Sequence, residues 1–330
     1  MKVFLIGDYR SGTGPANVTL QYKNRMKYGL ILRAGSKACR AVEMLLKMPF
    51  CDVVLLSGHS KQNLLALDLA HRFRKKTAFL MHGCVEHENA INGVPSADMT
   101  ETEKKTLAGA DAVYAVSERF ADWLKERYPA YADKISAMPN GLEPLPVCTG
   151  DAPEKIRHRL ISIGGGMPRK QIRYIAEAVM LLKEEPAYAD AELVVIGDKG
   201  LDTDALNAFP CVQNLGLVSY AETLRLLQSA ELFIQNSCFE TFGLAPLEAL
   251  SMGDSLLLSK EVGALELFSH TEEGDLITDT KNPEEIAGKI KGLLESGNHD
   301  RLLSSIDMES VSWNVRYDQL MRKLQELTKG

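Results

Sequence analysis

Two carboxylates, Glu240 and Glu248, lie in the stretch NSCFETFGLAPLEALSMG at residues 236–253, with Phe242-Gly243-Leu244 and Pro246 between them. An ionised carboxylate offers two acceptor oxygens and suits sugar or ribose hydroxyls. The segment between the two suits an anion. Pro246 belongs in the first turn of a helix, where its missing N–H would have had no intrahelical partner. Backbone N–H groups near Gly243 are then left for a ligand. They stand at the carboxyl end of a strand read from Leu232-Phe233-Ile234, whose exit is Gln235-Asn236-Ser237. In parallel α/β sheets that end binds ligands. Hydroxyl acceptors beside anion donors are what a nucleotide sugar requires.

A second cluster, Ser162-Ile163-Gly164-Gly165-Gly166-Met167-Pro168-Arg169-Lys170, reads as a strand, a glycine turn and the start of a helix. Such a turn lets backbone approach a phosphate closely, and Arg169 and Lys170 add full positive charge. The competing reading is a tight strand-to-helix turn with basic surface residues. The spacing fits neither the dinucleotide fingerprint nor the phosphate loop that ends in Gly-Lys-Ser/Thr.

These residues need two frameworks to hold them. Apolar runs at Val3–Ile6, Val53–Leu56, Ala78–Met81 and Ala112–Val116 predict strands, with helices near 34–48, 60–74, 98–109 and 118–128. The Pro/Gly-rich stretch 139–153 reads as a linker. A second series follows, with strands at Leu160–Ile163, Leu193–Ile196, Val212–Leu215, Leu232–Ile234 and Leu256–Leu258. Its helices fall near 170–184, 219–228, 244–252, 263–268 and 283–295. Strands alternating with helices imply an α/β protein with parallel sheets covered on both faces. The expectation is two Rossmann-like domains facing a cleft, over 1–150 and 151–312. An amphipathic helix over 313–330 should pack back on the first domain.

Composition supports a globular enzyme. The chain has 330 residues, 45% of them hydrophobic and 25% charged, and a net charge of −6 that argues against general nucleic-acid binding. Its six cysteines are scattered, which suits buried thiols rather than a disulfide framework or zinc cluster. No apolar run approaches membrane-spanning length, and the N-terminus does not read as a secretory signal, so a cytoplasmic protein is expected. Between Tyr9 and Val42 there is no acidic residue, against Arg10, Lys23, Arg25, Lys27, Arg33, Lys37 and Arg40. This basic 9–42 region would attract an anionic substrate or the anionic inner membrane face, a peripheral contact; the plainer reading is a solvated basic surface.

The E-x7-E arrangement, the glycine turn with Lys170, Pro139-Asn140-Gly141 and the terminal Trp313 helix together resemble the family four glycosyltransferases. The likeness spans nearly the whole chain, specifically in the second half and loosely in the first. It implies the GT-B fold, with the acceptor on the first domain and a UDP- or GDP-sugar on the second. By matched position it implies Lys170 on the donor diphosphate, Glu248 on the ribose and Glu240 beside the sugar. Phe242, Gly243 and Leu244 would lie around sugar and phosphates, and Leu217 and Val218 near the base. His82 would touch the transferred sugar, and Gly12 and Gly14 would form a flexible loop beside the phosphates. Catalytic roles thus fall to Glu240, His82 and Lys170. The family often carries an arginine where this chain has Gly165, and Arg169 is the candidate to replace its charge. The implied reaction retains anomeric configuration, uses no cofactor, and extends a glycan, glycolipid or glycoprotein, as in polysaccharide biosynthesis.

Metal independence is expected too. Asp202-Thr203-Asp204 imitates a metal-binding D-x-D but reads as a loop and helix cap. His82, Glu86 and His87 lack the spacing of a zinc motif, and Gly58-His59-Ser60-Lys61-Gln62 lacks the last glycine of a hydrolase elbow. Two alternatives stay open: a non-catalytic GT-B-like binding or chaperone subunit, and a sugar-nucleotide epimerase.

Overall fold

The structure is a computed structural model that describes residues 1–143 and 154–329. The expected domain boundary at 150 and 151, and most of the linker 139–153, lie outside the described residues. Two compact units emerge. The first takes in Met1–Asn89, Pro95–Glu143 and the chain from Glu309; the second takes in Ala90–Val94 and the chain from 154 to Met308.

The first unit has strands β1 (Val3–Gly7), β2 (Leu30–Ile31), β3 (Val53–Ser57), β4 (Lys76–Met81), β5 (Ala112–Ala115) and β6 (Ile135–Ala137). They form one six-stranded sheet in the order β2-β1-β3-β4-β5-β6, parallel throughout. All five residues of β3 are buried, the continuous apolar run expected of a central parallel strand. The second unit has β7 (Arg159–Ile163), β8 (Glu192–Ile196), β9 (Val212–Gly216), β10 (Leu232–Gln235), β11 (Ser255–Ser259) and β12 (Leu276–Ile277). Their order is β12-β11-β10-β7-β8-β9, again all parallel. On this sheet the helix Ile172–Leu182 buries Ile172, Ile175, Ala176 and Val179 in a core shared with Leu160, Leu193, Ile286 and Ile290. Burying such an aliphatic side chain contributes about 1.5–3 kcal/mol.

Three edge or near-edge strands, β2, β6 and β12, are too short to stand out in the sequence. The segment 263–268 forms a 3-10 turn, Gly263–Leu267, rather than an α-helix. The expected glycine loop around Gly12 and Gly14 is also corrected. Gly14 opens the helix Gly14–Arg25, with the Thr13 hydroxyl accepting from the Ala16 amide and Pro15 in the first turn. Only Gly12 remains in a loop, with φ +73°.

Two sequence features meet in the first unit. The helix Trp313–Lys329 begins with a buried Trp313 whose ring meets Tyr22 edge-on, centroids 5.4 Å apart. A Cβ at Gly141 would stand 2.6 Å from Trp313 Cδ2, so the glycine after Pro139-Asn140 is there to admit the indole. Met44 and Met48 are fully buried core residues. No described helix is long and apolar enough to cross a membrane.

Candidate functional site

In the second sheet the chain moves outward from β7 to β8 and β9 on one side, and β10 adds on the other. The strand order therefore reverses between β7 and β10, and ligands bind outside the carboxyl ends at such a point. Lys170 follows β7 and Glu240 follows β10, so the two flank the reversal. Their side chains form an ion pair, Lys170 Nζ to Glu240 Oε2, with exposures of 14% and 10%. Arg169 Nη1 reaches the same oxygen at 3.4 Å and donates to the Phe239 carbonyl at 3.1 Å. Gln235 Nε2 donates to it as well, at 2.9 Å. Burial alone would raise the Glu240 pKa, but Lys170 and then Arg169 outweigh it and hold the carboxyl below its ordinary value. The result is a largely buried, ionised cluster of Lys170, Arg169 and Glu240.

The glycine turn performs a different task from the one the sequence suggested. The amides of Gly164 and Gly165 both donate to the Ile196 carbonyl, at 2.7 and 3.0 Å, and Gly166 N donates to Asp198 O at 3.1 Å. These N–H groups are spent on the last carbonyl of β8 and on the loop that follows it. Gly165 has φ +56°, and a Cβ there would stand 2.1 Å from Asp198 O. No side chain, an arginine included, fits this backbone. Gly164 is open for another reason: a Cβ would lie 2.4 Å from Lys170 Cγ, so the lysine stem runs across the turn. The turn then passes through the 3-10 segment Pro168–Lys170 and Gln171, in the left-handed region, into the helix Ile172–Leu182.

After β10, Glu240 pairs as an isolated bridge with Val262, and Phe242 O accepts from Ala264 N at 2.7 Å. Phe242 is buried, and Gly243 takes φ +90° before the short helix Ala245–Ser251, which carries Pro246 in its first turn. Among the described residues the amides of Gly243 and Leu244 have no protein acceptor. Glu248 is half-buried; burial raises its pKa, against a hydrogen bond from Tyr220 Oη to Oε1 at 3.3 Å. Tyr220 stands two residues beyond Val218, in the loop and helix that follow β9. Leu217 is 73% exposed there. Gln235 and Tyr220, partners of the two glutamates, were not singled out from the sequence; only the strand-end position of Gln235 could have marked it.

Asp202 occupies the cap position of the helix Thr203–Asn207, but its side chain makes no capping bond. The loop is closed instead by Thr203 Oγ1, which accepts from Gly200 N at 2.9 Å. No three His, Cys, Asp or Glu side chains gather as a metal site among the described residues.

In the first unit His82 follows β4 and is half-buried, with Nε2 at 2.9 Å from Ser57 Oγ. Burial lowers its pKa to about 4, so the ring is neutral at neutral pH. Of the basic 9–42 residues, Arg25 pairs with Glu143, and Arg10 donates to Tyr9 Oη and to the Arg33 carbonyl, while Lys27, Arg33 and Lys37 stay exposed.

Comparison with known proteins agrees with this architecture. The profile of Glycosyltransferase Family 4 matches residues 3–144, and that of Glycosyl transferases group 1 matches 157–296. An N,N'-diacetylbacillosaminyl-diphospho-undecaprenol alpha-1,3-N-acetylgalactosaminyltransferase of Campylobacter jejuni is 26% identical over 48% of this chain and 41% of its own length. An uncharacterised glycosyltransferase of Methanocaldococcus jannaschii is 25% identical over 64% of this chain and 58% of its own. The chain thus matches less than two thirds of either relative. Among solved structures, Anabaena HepE in complex with UDP and glucose superposes with a TM-score of 0.72 at 14% identity, covering 99% of this chain and 100% of that one. A sucrose-phosphate synthase of Thermosynechococcus elongatus gives 0.72 at 15% identity over 99% of both chains. The fold is that of the GT-B enzymes, and the chain belongs to the group 1, family four glycosyltransferases.

Proposed function

We propose that this protein transfers a sugar from a UDP- or GDP-sugar to a glycan or lipid-linked acceptor, with retention of configuration and without a metal. The observation that carries the reading is the meeting of Lys170, Arg169 and Glu240 where the second sheet reverses its strand order. Cleaving an anomeric bond to a nucleoside diphosphate leaves charge on the β-phosphate, which must be neutralised as it develops. Lys170 and Arg169 supply two fixed cations for it, and the Gly243 and Leu244 amides supply donors. In this reading the phosphate takes over the cations from Glu240, freeing that carboxylate to accept from sugar hydroxyls. Arg169 then provides the charge that Gly165 has no room to carry. Glu248 would hold the ribose, Leu217 and Val218 would flank the base, and His82 would meet the transferred sugar.

The acceptor is proposed to be anionic and membrane-borne. The Campylobacter relative is named for an undecaprenol-linked diphosphate acceptor. On the helix Lys37–Lys47 and the turn after it, Val42, Leu45, Leu46 and Phe50 are 50–69% exposed, close in sequence to exposed Lys27, Arg33 and Lys37. Exposed apolar side chains with exposed cations near them in sequence suit an anionic bilayer at the cytoplasmic face. Sedimentation with phosphatidylglycerol vesicles should show binding that falls with added salt and in Leu46→Asp; binding equal to that on neutral vesicles would contradict it.

A panel of UDP- and GDP-sugars, read by release of free nucleotide and by thermal shift, tests the central proposal. Slow hydrolysis of one donor is expected. No turnover and no shift with any nucleotide would overturn it, and release of an epimerised sugar nucleotide would point to epimerase chemistry.

A further inference from the structure

The side-chain contacts of Glu240 all fall on one of its two oxygens. Oε2 accepts from Lys170 Nζ, from Arg169 Nη1 at 3.4 Å and from Gln235 Nε2 at 2.9 Å. Among the described residues nothing bonds Oε1, which keeps some contact with solvent. Of the three donors only Gln235 is neutral. It ends β10, is 2% exposed, and its Nε2 also donates to Ser237 Oγ at 3.5 Å. Its own carbonyl oxygen is buried and has no donor. Turning the amide over would set that oxygen against Glu240 Oε2, acceptor against acceptor, so the orientation is fixed. The chain then folds closely over the pair: a Cβ at Gly243 would stand 3.2 Å from Gln235 Nε2 and 3.3 Å from Glu240 Cγ.

A buried acceptor without a donor is costly, and an apolar side chain in this place would avoid the cost. What an apolar side chain could not do is hold Glu240. The need is greatest once a diphosphate is bound. Lys170 and Arg169 then turn to the phosphate, and the bond from Gln235 is what remains on Oε2. We propose that Gln235 is a positioning residue for the transfer: its amide keeps Oε2 fixed while the cations change partners, so that Oε1 stays free to accept from a hydroxyl of the donor sugar. The handover rests on the proposed donor site; the bond between Gln235 and Glu240 does not.

Gln235→Met and Gln235→Glu in the full chain test it, through titration with UDP and GDP and through hydrolysis of the donor that the wild type turns over. Gln235→Met keeps the length of the side chain and removes the bond. It should lower kcat by about tenfold, the worth of one hydrogen bond, with KM and nucleotide affinity within about twofold of wild type. Gln235→Glu replaces the amide by a second carboxyl. While the two carboxyls share a proton, the new O–H can donate to Glu240 Oε2, and kcat should approach wild type. As pH rises and that proton leaves, two like charges meet and kcat should fall, along a limb that the wild type lacks. A role in packing alone would give no such limb. Should Gln235→Met fail to fold, the pH profile of Gln235→Glu decides alone. Turnover by Gln235→Met equal to wild type, or a Gln235→Glu profile parallel to it, overturns the proposal and leaves the donor site in place. Failure of both nucleotides to bind the wild type removes the donor site and this role with it.

Discussion

Replacing Lys170 by methionine separates what the lysine does for the empty protein from what it does for a diphosphate. Without a ligand it answers the charge of Glu240, whose side chain is only 10% exposed. Stranding a buried charge costs about 3–5 kcal/mol. Here Arg169 remains at 3.4 Å and the Gln235 amide at 2.9 Å, so one charged hydrogen bond is lost, about 2 kcal/mol. For a unit of this size that lowers Tm by about 4–8 °C. Adding Glu240→Gln removes the stranded charge, and the double variant should recover about half of the loss. Turnover should behave differently. A missing cation at the developing phosphate charge costs about 3–4 kcal/mol, a fall of roughly 10²–10³ in kcat, and Glu240→Gln cannot restore it. Acid melting adds a sign. The folded Glu240 pKa is lowered from 4.5, so its contribution is present above that value and lost as pH falls through the folded value. The Lys170→Met protein should lose less stability than wild type across that acid window. Thermal melts of wild type, Lys170→Met, Glu240→Gln and the double variant, beside donor hydrolysis, decide the matter: a double variant that regains turnover along with stability would refute the reasoning.

Gly165→Arg should not raise donor affinity; with φ +56° and Asp198 O at 2.1 Å from its Cβ, it should cost about 3 kcal/mol or more, seen as a lower Tm. Glu248→Gln should weaken UDP or GDP binding by about 1.5–3 kcal/mol in calorimetry, while Tyr220→Phe costs less because its bond is long, 3.3 Å, and half exposed. Asp254 is fully buried beside Lys155, and burial raises its pKa from 3.8 to about 7. The folded protein then binds this proton more tightly than the unfolded chain, so stability falls as pH rises from about 4 through 7. Asp254→Asn should gain Tm relative to wild type at pH 8 compared with pH 5.5, and an equal difference at both values would contradict the assignment.

The strands that were legible were those buried on both faces, because an all-apolar run such as Val53–Leu56 has no competing explanation. Two-residue strands like Leu30–Ile31 carry no periodicity, and their pairing is set by the neighbour already in place. The helix Gly14–Arg25 was hidden by its own start, since Gly12, Thr13, Gly14 and Pro15 read as loop residues although three of them serve as cap or first turn. The short helix Val85–Ile91 was missed because what answers its first amides comes from elsewhere. Glu103, 1% exposed, accepts from Val85 N at 2.7 Å and Glu86 N at 3.3 Å. In the candidate site, residue type and spacing exposed Lys170, Glu240 and Glu248. The Tyr220 contact comes from the end of another strand, β9, and the Gln235 contact from the turn that folds Glu240 back on the end of its own strand, β10; both follow from the fold alone.

The glycine turn shows most plainly why a motif's composition underdetermines its work. Gly164-Gly165-Gly166 would serve equally to admit a phosphate or a second loop, since both need backbone without a Cβ. The structure fills the space with the end of β8 and the loop after it, whose carbonyls take the turn's amides. Anion recognition is thereby displaced onto side chains, and the next two cations in the chain, Arg169 and Lys170, both reach Glu240. An arginine at 165 and the loop packing seen here exclude each other by backbone geometry. Arg169, anchored by its amide to Asn92 Oδ1 at 3.2 Å and its carbonyl to Cys238 N at 2.9 Å, is the one whose position costs no such collision. Arg169→Lys keeps a charge but loses the planar guanidinium whose Nη1 reaches both Phe239 O and Glu240 Oε2. It should therefore weaken donor binding by several-fold with little change in Tm, and calorimetric titration with the nucleoside diphosphate is the check; an affinity equal to wild type would leave Lys170 as the sole diphosphate cation.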